Sequence, residues 1–264
     1  MYYLKIRSKN HTANALRRMI RCSKRAVLRL GSVTPLEYIF PYVKDLSTIM
    51  EINSIEGCKL SGNKVLMKTA FSEAGVSTAE WLHMAEFINK SQEEIHNTWN
   101  TFPAIIKHKN SCKGNGIYMI RSEEELMSWI NEHRDSLGNH IIEKYYTYSR
   151  EYRLHVTEKG CFYTCRKMLR NDAEERWHRH DNNCVWIVEE NPLFCKPENW
   201  DDIVQECIKA LKAVKLDIAA IDVKVQVPKP GSTPKFIILE TNSAPSLGER
   251  TTLEYIKELS KLLQ

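Results

Sequence analysis

The chain of 264 residues is 42% hydrophobic and 27% charged, ordinary values for a soluble globular protein, so wholesale disorder is excluded. Its length suits one large domain or two small ones sharing a core. No apolar run approaches the roughly 20 residues of a membrane-spanning helix, and no charged-then-apolar segment opens the chain. Neither a membrane contact nor a secretory signal is expected.

The formal charge of +5 is uneven. Residues 1–36 carry nine cations (Lys5, Arg7, Lys9, Arg17, Arg18, Arg21, Lys24, Arg25 and Arg29) and no carboxylate, so taking those nine from +5 leaves −4 for the rest. Such a segment suits an anionic partner, nucleic acid included, or serves as a solvated helix face. The eight Cys show no repeated CxxC, and without a signal they read as reduced thiols in a cytoplasmic protein, mostly small core residues.

In chain order, strand-like 2–7, helix-like 11–22 and strand-like 26–30 predict a small β–α–β unit. Residues 33–62, with Pro35, Pro41, Gly57 and Gly62, read as a connector with short elements. A helix is predicted from Asn63 to Glu73, ended by Gly75, and 79–98 has mixed helical spacing. Strands are expected at 102–107, 117–120 and 141–146, with a helix opening at Ser122. Residues 151–156 and 161–168 form a hairpin around Glu158-Lys159-Gly160. A polar loop, 170–183, precedes an amphipathic helix over 200–214. Strands 219–227 and 236–242 close the pattern around a Pro/Gly turn.

That last hairpin carries the strongest chemical signal. Alternation in Ile221-Asp222-Val223-Lys224-Val225 puts Asp222 on the non-core face, and Glu240 and Asn242 share a face two residues apart. If the strands pair, two carboxylates and an amide oxygen form a hard donor set suited to Mg²⁺ rather than zinc. Lys107 closes an apolar strand before Ser111-Cys112-Lys113-Gly114-Asn115-Gly116, a loop whose backbone N–H groups can approach phosphate oxygens, although it is not a Walker A motif. His178, His180 and Cys184 are zinc-type ligands, but no fourth has convincing spacing, so zinc is not expected. Trp177, Trp186 and Trp200 read as packing residues, and Cys112 as a loop residue rather than a nucleophile.

The order of these pieces over residues 60–264 resembles the ATP-grasp carboxylate–amine ligases, such as D-alanine–D-alanine ligase and glutathione synthetase. Four stretches carry the resemblance: Asn63-Lys64 with Ala74-Gly75-Val76; Phe102-Pro103-Ala104-Ile105-Ile106-Lys107 with its Gly loop; Ile142-Glu143-Lys144-Tyr145-Tyr146 with Glu151-Tyr152-Arg153; and Asp222 with Leu239-Glu240-Thr241-Asn242. The resemblance implies a mixed α+β / α/β fold. It has two α+β lobes, 61–142 with the phosphate flap and 143–264 with the metal and catalytic site, behind a short β–α–β domain at 1–60.

It also implies roles. Lys64 and Lys107 would contact ATP phosphates under a flap of Ser111, Cys112, Lys113 and Gly114. Glu143, Lys144, Tyr145 and Tyr146 would meet the adenine and Glu151 the ribose. Asp222, Glu240 and Asn242 would hold Mg²⁺ or Mn²⁺. Lys167 would reach the γ-phosphate, with Arg166 and Arg153 as further catalytic candidates. Where many members of the family carry an Arg two residues before the metal Asp, this chain has Ala220; Arg153, Arg166 or Arg179 would substitute. The expected activity is ATP-dependent activation of a carboxylate, of amino acid or peptide type, for attack by an amine, with release of ADP. The alternatives are a nucleotide-binding module that has lost catalysis, or a ligase that engages nucleic acid through residues 5–29.

Overall fold

The computed structural model describes residues 2–8, 16, 19–111, 114–180, 182–228 and 230–263. The chain begins with β1 (Tyr2–Tyr3), β2 (Lys5–Ser8), β3 (Arg21–Cys22) and β4 (Ala26–Leu30), followed by α1 (Leu36–Ile39), β5 (Met50–Ile52) and α2 (Ile55–Ser61). Strands β2, β4 and β5 form a parallel sheet in the order β2-β4-β5, and β1 pairs antiparallel with β3. Arg21 and Cys22, the end of the helix predicted over 11–22, are strand instead, paired with Tyr3 and Tyr2. Residues 11–15, 17 and 18 of that stretch, including Arg17 and Arg18, lie outside the described residues, as do Lys9 and Asn10. Arg29 is not a surface cation: β4 buries it completely, and Glu51 holds it at 2.7 Å.

Next come α3 (Lys64–Glu73), β6 (Trp81–His83), α4 (Gln92–Thr98), β7 (Ala104–His108), β8 (Ile117–Ile120), α5 (Glu123–Glu132) and β9 (His140–Lys144). Asn63 caps α3, its side chain accepting from the N–H groups of Val65 and Leu66, and Gly75 ends it at φ +64°, the left-handed turn expected there. The four strands form an antiparallel sheet in the order β6-β9-β7-β8. In the stretch of mixed helical spacing, only α4 and a short 3-10 turn are helical; Trp81–His83 are drawn into strand by pairing with β9. Strand alternation gives this sheet two unlike faces. Ala104, Ile106 and Ile142 join Leu126, Trp129 and Ile130 of α5 in one core, while Lys107 and Glu143 take the other side.

The remainder is β10 (Arg150–Thr157), β11 (Gly160–Leu169), β12 (Cys184–Val188), α6 (Trp200–Ala213), β13 (Ile218–Val225), β14 (Phe236–Asn242) and α7 (Glu249–Leu262). These strands form a five-stranded antiparallel sheet, β12-β11-β10-β13-β14. Its apolar face, Tyr152, Leu154, Val156, Ile221, Val223, Val225 and Ile238, packs with Trp200, Ile203, Cys207 and Leu211 of α6 and with Met67 and Phe71 of α3. Among the described cysteines, Cys22, Cys58, Cys165, Cys184 and Cys207 are buried, consistent with their reading as core residues.

Two junctions tie the sheets together. Thr78 bridges Ile238 of β14, and the Ser77 carbonyl accepts from the Ile238 N–H at 2.7 Å. Asn53, at φ +63°, donates to the carbonyls of Arg29 and Ile218 and accepts from the N–H groups of Asp217 and Ile218. All four bonds are 2.9–3.0 Å, so this buried amide is fully satisfied. No helix among the described residues is long and apolar enough to cross a membrane.

Candidate active site

The face of the five-stranded sheet opposite α6 is charged, and its register explains why. Glu151 stands beside Lys167 on one side and Lys224 on the other; Arg153 stands beside Asp222, and Asp222 beside Glu240. Residues directly opposite one another share a face, so a single pleat gathers these side chains. Arg153 grips Asp222 with Nε at 2.6 Å and Nη2 at 2.7 Å. Lys167 lies 3.5 Å and Arg179 3.7 Å from the Glu151 carboxylate. Asn242 donates to Glu240 at 3.2 Å. Trp186 supplies a ring beneath Arg153 and Lys167, with cation-to-centroid distances of 4.8 Å and 5.4 Å.

The four-stranded sheet contributes the opposing wall. Lys107 and Glu143 make an ion pair, and Lys68, reaching from α3, meets Glu143 at 3.0 Å. Lys68 also donates to Thr78 Oγ1, which itself donates to the Ile238 carbonyl, so this cation sits at the seam of the two sheets. The walls share one electrostatic space. Burial would lower the Lys107 ammonium, but Glu143, Glu240 and Glu151 together hold it above its ordinary pKa. For Glu143, burial is outweighed by Lys107 and Lys68, which bring the carboxyl down to about 2. Lys224 behaves in the opposite way. Burial pushes it down to about 8, despite Glu151, while its ammonium donates to the Tyr146 carbonyl at 3.0 Å and lies 4.4 Å from the Tyr145 ring centroid.

Lys68, Lys107, Arg153, Lys167, Arg179 and Lys224 thus face Glu143, Glu151, Asp222 and Glu240, six cations against four carboxylates. A surplus of positive charge between two walls suits a polyanion. Asp222, Glu240 and Asn242 stand on adjacent strands at matching register, and as hard oxygen donors they are chemically suited to Mg²⁺.

The other expected residues fall around this cleft. Lys64, at the start of α3, donates to the Ser111 carbonyl at 2.5 Å, joining the helix to the expected flap. Cys112 and Lys113 lie outside the described residues. Gly114 is at φ +78°, a left-handed conformation that suits glycine, and a Cβ there would sit tightly, 3.1 Å from His178 Nε2 and 3.3 Å from His180 Cβ. The Tyr145 N–H donates to the Pro103 carbonyl, the Tyr145 hydroxyl to the Trp177 carbonyl at 2.6 Å, and Lys144 lies near the Tyr146 ring.

Arg166 is not part of the cleft. Its cross-strand neighbour is Tyr152 of the apolar face, and its guanidinium donates to the Leu193 carbonyl, so strand alternation sends it away from Lys167. Of the candidates to replace an Arg at Ala220, Arg153 is the one that touches Asp222. Lys68 and Lys224 are the charged residues that the sequence reading passed over. The signal for Lys68 was its position one helical turn after Lys64, on the buried face of α3 with Met67 and Phe71.

No protein-family model matches the chain, and no curated protein matches it either. Solved structures do. D-alanine–D-alanine ligase from Bacillus anthracis aligns with a TM-score of 0.63 at 16% identity, covering 89% of this chain and 80% of that one. Biotin carboxylase from Campylobacter jejuni, in a complex with an ATP analogue, aligns at 0.62 and 17% identity, covering 90% of this chain and 54% of that one. The ATP-grasp ligase PsnB, complexed with a minimal precursor, aligns at 0.57 and 14% identity, covering 90% of this chain and 77% of that one. In each case the likeness covers about nine-tenths of this chain.

Proposed function

We propose, from the premise that the chain has the ATP-grasp fold, that it is an ATP- and Mg²⁺-dependent ligase joining a carboxylate to an amine. The observation that carries this reading is the convergence of six cations and three oxygen ligands, from two sheets, on one cleft.

Divisions after α2, which ends at Ser61, and after β9, which ends at Lys144 rather than at 142, suit these roles. The first lobe would bring Lys64, Lys68 and Lys107 to the phosphates, with Ser111 to Gly114 above them. The second would bring Lys167 to the γ-phosphate and Arg153 to the charge developing there. Glu143 to Tyr146 and Glu151 would accommodate the nucleoside. Asp222, Glu240 and Asn242 would hold Mg²⁺, which neutralises phosphate charge when bound. Positioning and positive charge are the main contributions a protein makes to phosphoryl transfer.

The reaction balances in two steps. An oxygen of the substrate carboxylate attacks the γ-phosphorus, and the bond to the ADP oxygen breaks. The amine nitrogen then attacks the acyl carbon, the carbon–oxygen bond to phosphate breaks, and the amine loses a proton. Water must be kept out because acyl phosphates hydrolyse, which gives the flap against His178 and His180 its purpose. The test is ADP release screened against amino acids, peptides and small carboxylates, with hydroxylamine to trap the acyl phosphate. ADP and a hydroxamate are expected; AMP and pyrophosphate would overturn the reading.

A second reading, that the substrate is a nucleic acid or another polyanion docked at the N-terminal sheet, has its own observation. Arg25 stacks on exposed Tyr2 and Arg21 on exposed Tyr3 beside a groove of about 640 Å³ lined by Lys5, Arg7 and Tyr42. Binding that weakens steeply with salt and depends on Arg21 and Arg25 would support it; salt-independent binding would remove it.

A further inference from the structure

The loop between β11 and β12 holds a second cluster of metal-type ligands, separate from the oxygen set. Glu175, His178 and His180 place one ligand atom each within 4.8 Å of one another. Glu175 Oε2 is 3.3 Å from His178 Nδ1 and 3.9 Å from His180 Nε2. Bonds of 2.0–2.1 Å around a tetrahedral zinc put neighbouring ligands roughly 3.3 Å apart, so the first distance already fits and the others need modest closure.

Two further observations point to a ligand. Both ring nitrogens of His178 are buried and neither makes a hydrogen bond, with only the Glu175 carboxylate, 3.3 Å from Nδ1, as a charge partner. The three backbones are also fixed by one buried side chain. Asn183 donates to the carbonyls of Glu175 at 3.0 Å and His178 at 3.1 Å, and accepts from the His180 N–H at 2.9 Å. A loop whose ligand-bearing residues are all braced by the same amide is pre-organised in the way outer-shell partners organise metal centres. Cys184 does not take part; it sits in β12 with its thiol on Asn183 Oδ1.

The geometry points to a Zn²⁺-binding site formed by Glu175, His178 and His180, with an open coordination position. Two imidazoles, a carboxylate and an open position form a set that zinc accepts. Its consequence is mechanical. His178 and His180 abut Gly114 of the flap, and the same loop is held at Trp177 by Tyr145 and at Arg179 by Lys167. An ion joining residues 175, 178 and 180 would stiffen the loop against which Gly114 rests.

The test uses the full chain, stripped with a chelator and titrated with Zn²⁺ against a chromophoric chelator, in excess Mg²⁺ to fill oxygen-only sites. One equivalent is expected to bind, and Co²⁺ in its place should give the visible bands of a tetrahedral N/O site. His178→Ala and His180→Ala should each weaken that equivalent by at least about 100-fold, and Asn183→Ala by about 10-fold, as a positioning residue. Glu240→Gln should leave it unchanged. Zinc should also slow proteolysis within 170–183 in the parent chain but not in His180→Ala, whose fold is checked by its melting temperature without zinc. Full-strength binding by a His178→Ala/His180→Ala chain, or no equivalent in the parent chain, would overturn the proposal.

Discussion

Arg153 and Asp222 form a two-pronged ion pair between neighbouring strands, both oxygens of the carboxylate engaged by one guanidinium. Such a pair is strong and directional, and removing one partner strands the other in a low-dielectric site. Arg153→Ala should therefore lower unfolding stability by about 3 kcal/mol without Mg²⁺. Added Mg²⁺ should restore more stability to the variant than it adds to the parent chain, since the ion would balance the unpaired charge of buried Asp222. Urea unfolding with and without Mg²⁺ checks this; equal shifts in both proteins would separate Asp222 from metal binding.

Glu240 lies half-buried on the polar face and makes no contribution to the apolar cores. Glu240→Gln keeps its shape and removes its charge. ATP turnover should fall at least ~100-fold with an unchanged melting temperature, since one ligand to the phosphate-bound ion is weakened. Turnover at the parent rate would refute its assignment.

Lys68, Glu143 and Lys107 form a buried triad, and their coupling is measurable. Because the Glu143 pKa falls from 4.5 to about 2 on folding, the stability it contributes is present above pH 4.5 and is lost as pH drops toward 2. The shift corresponds to about 3 kcal/mol. Lys68→Met should remove part of that acid-side slope, and Lys68→Met/Glu143→Gln should be more stable than the sum of the single changes predicts. Denaturation curves between pH 2 and pH 6, in a double-mutant cycle, give the answer.

Lys224 gives a slope of the same sign in a higher window. Its pKa is lowered to about 8 by burial, so the unfolded chain binds more protons between pH 8 and 10.5, and the cost of burying its charge fades as pH rises across that window. A bound polyphosphate favours the ammonium form. Nucleotide affinity should consequently decline above pH 8, with proton uptake on binding at pH 8.5. Calorimetry in buffers of different ionisation enthalpy should detect that uptake in the parent chain and find it absent from Lys224→Met.

How far the sequence could be read follows from periodicity. Asp222 and Glu240 were legible because a period of two in a strand separates faces without further information, and β13 and β14 bear out their placement opposite each other. The capped α3 and its terminal Gly75 were legible for local reasons. What escaped lacked a local signature. Strand β12 leaves Val185 and Trp186 exposed and sets only Ile187 against the main core, so its apolar run overstates its burial, and Glu175 acquires meaning only when Asn183 folds its loop back. Arg29 was counted as a surface charge because its burial depends on Glu51, more than twenty residues away.

The sharing of one core by the first strands and the last helix has a practical outcome. Leu4, Ile6, Leu28 and Ile52 pack with Ile218, Tyr255 and Leu259, and Asn53 stitches β4 to the start of β13. Deleting residues 1–53 would uncover the oily stripe of α7 and orphan three polar partners, the N–H groups of Asp217 and Ile218 and the Ile218 carbonyl, at once. The opening segment cannot be clipped off as a detachable arm: whatever it recognises, it must recognise while serving as a wall of the same building.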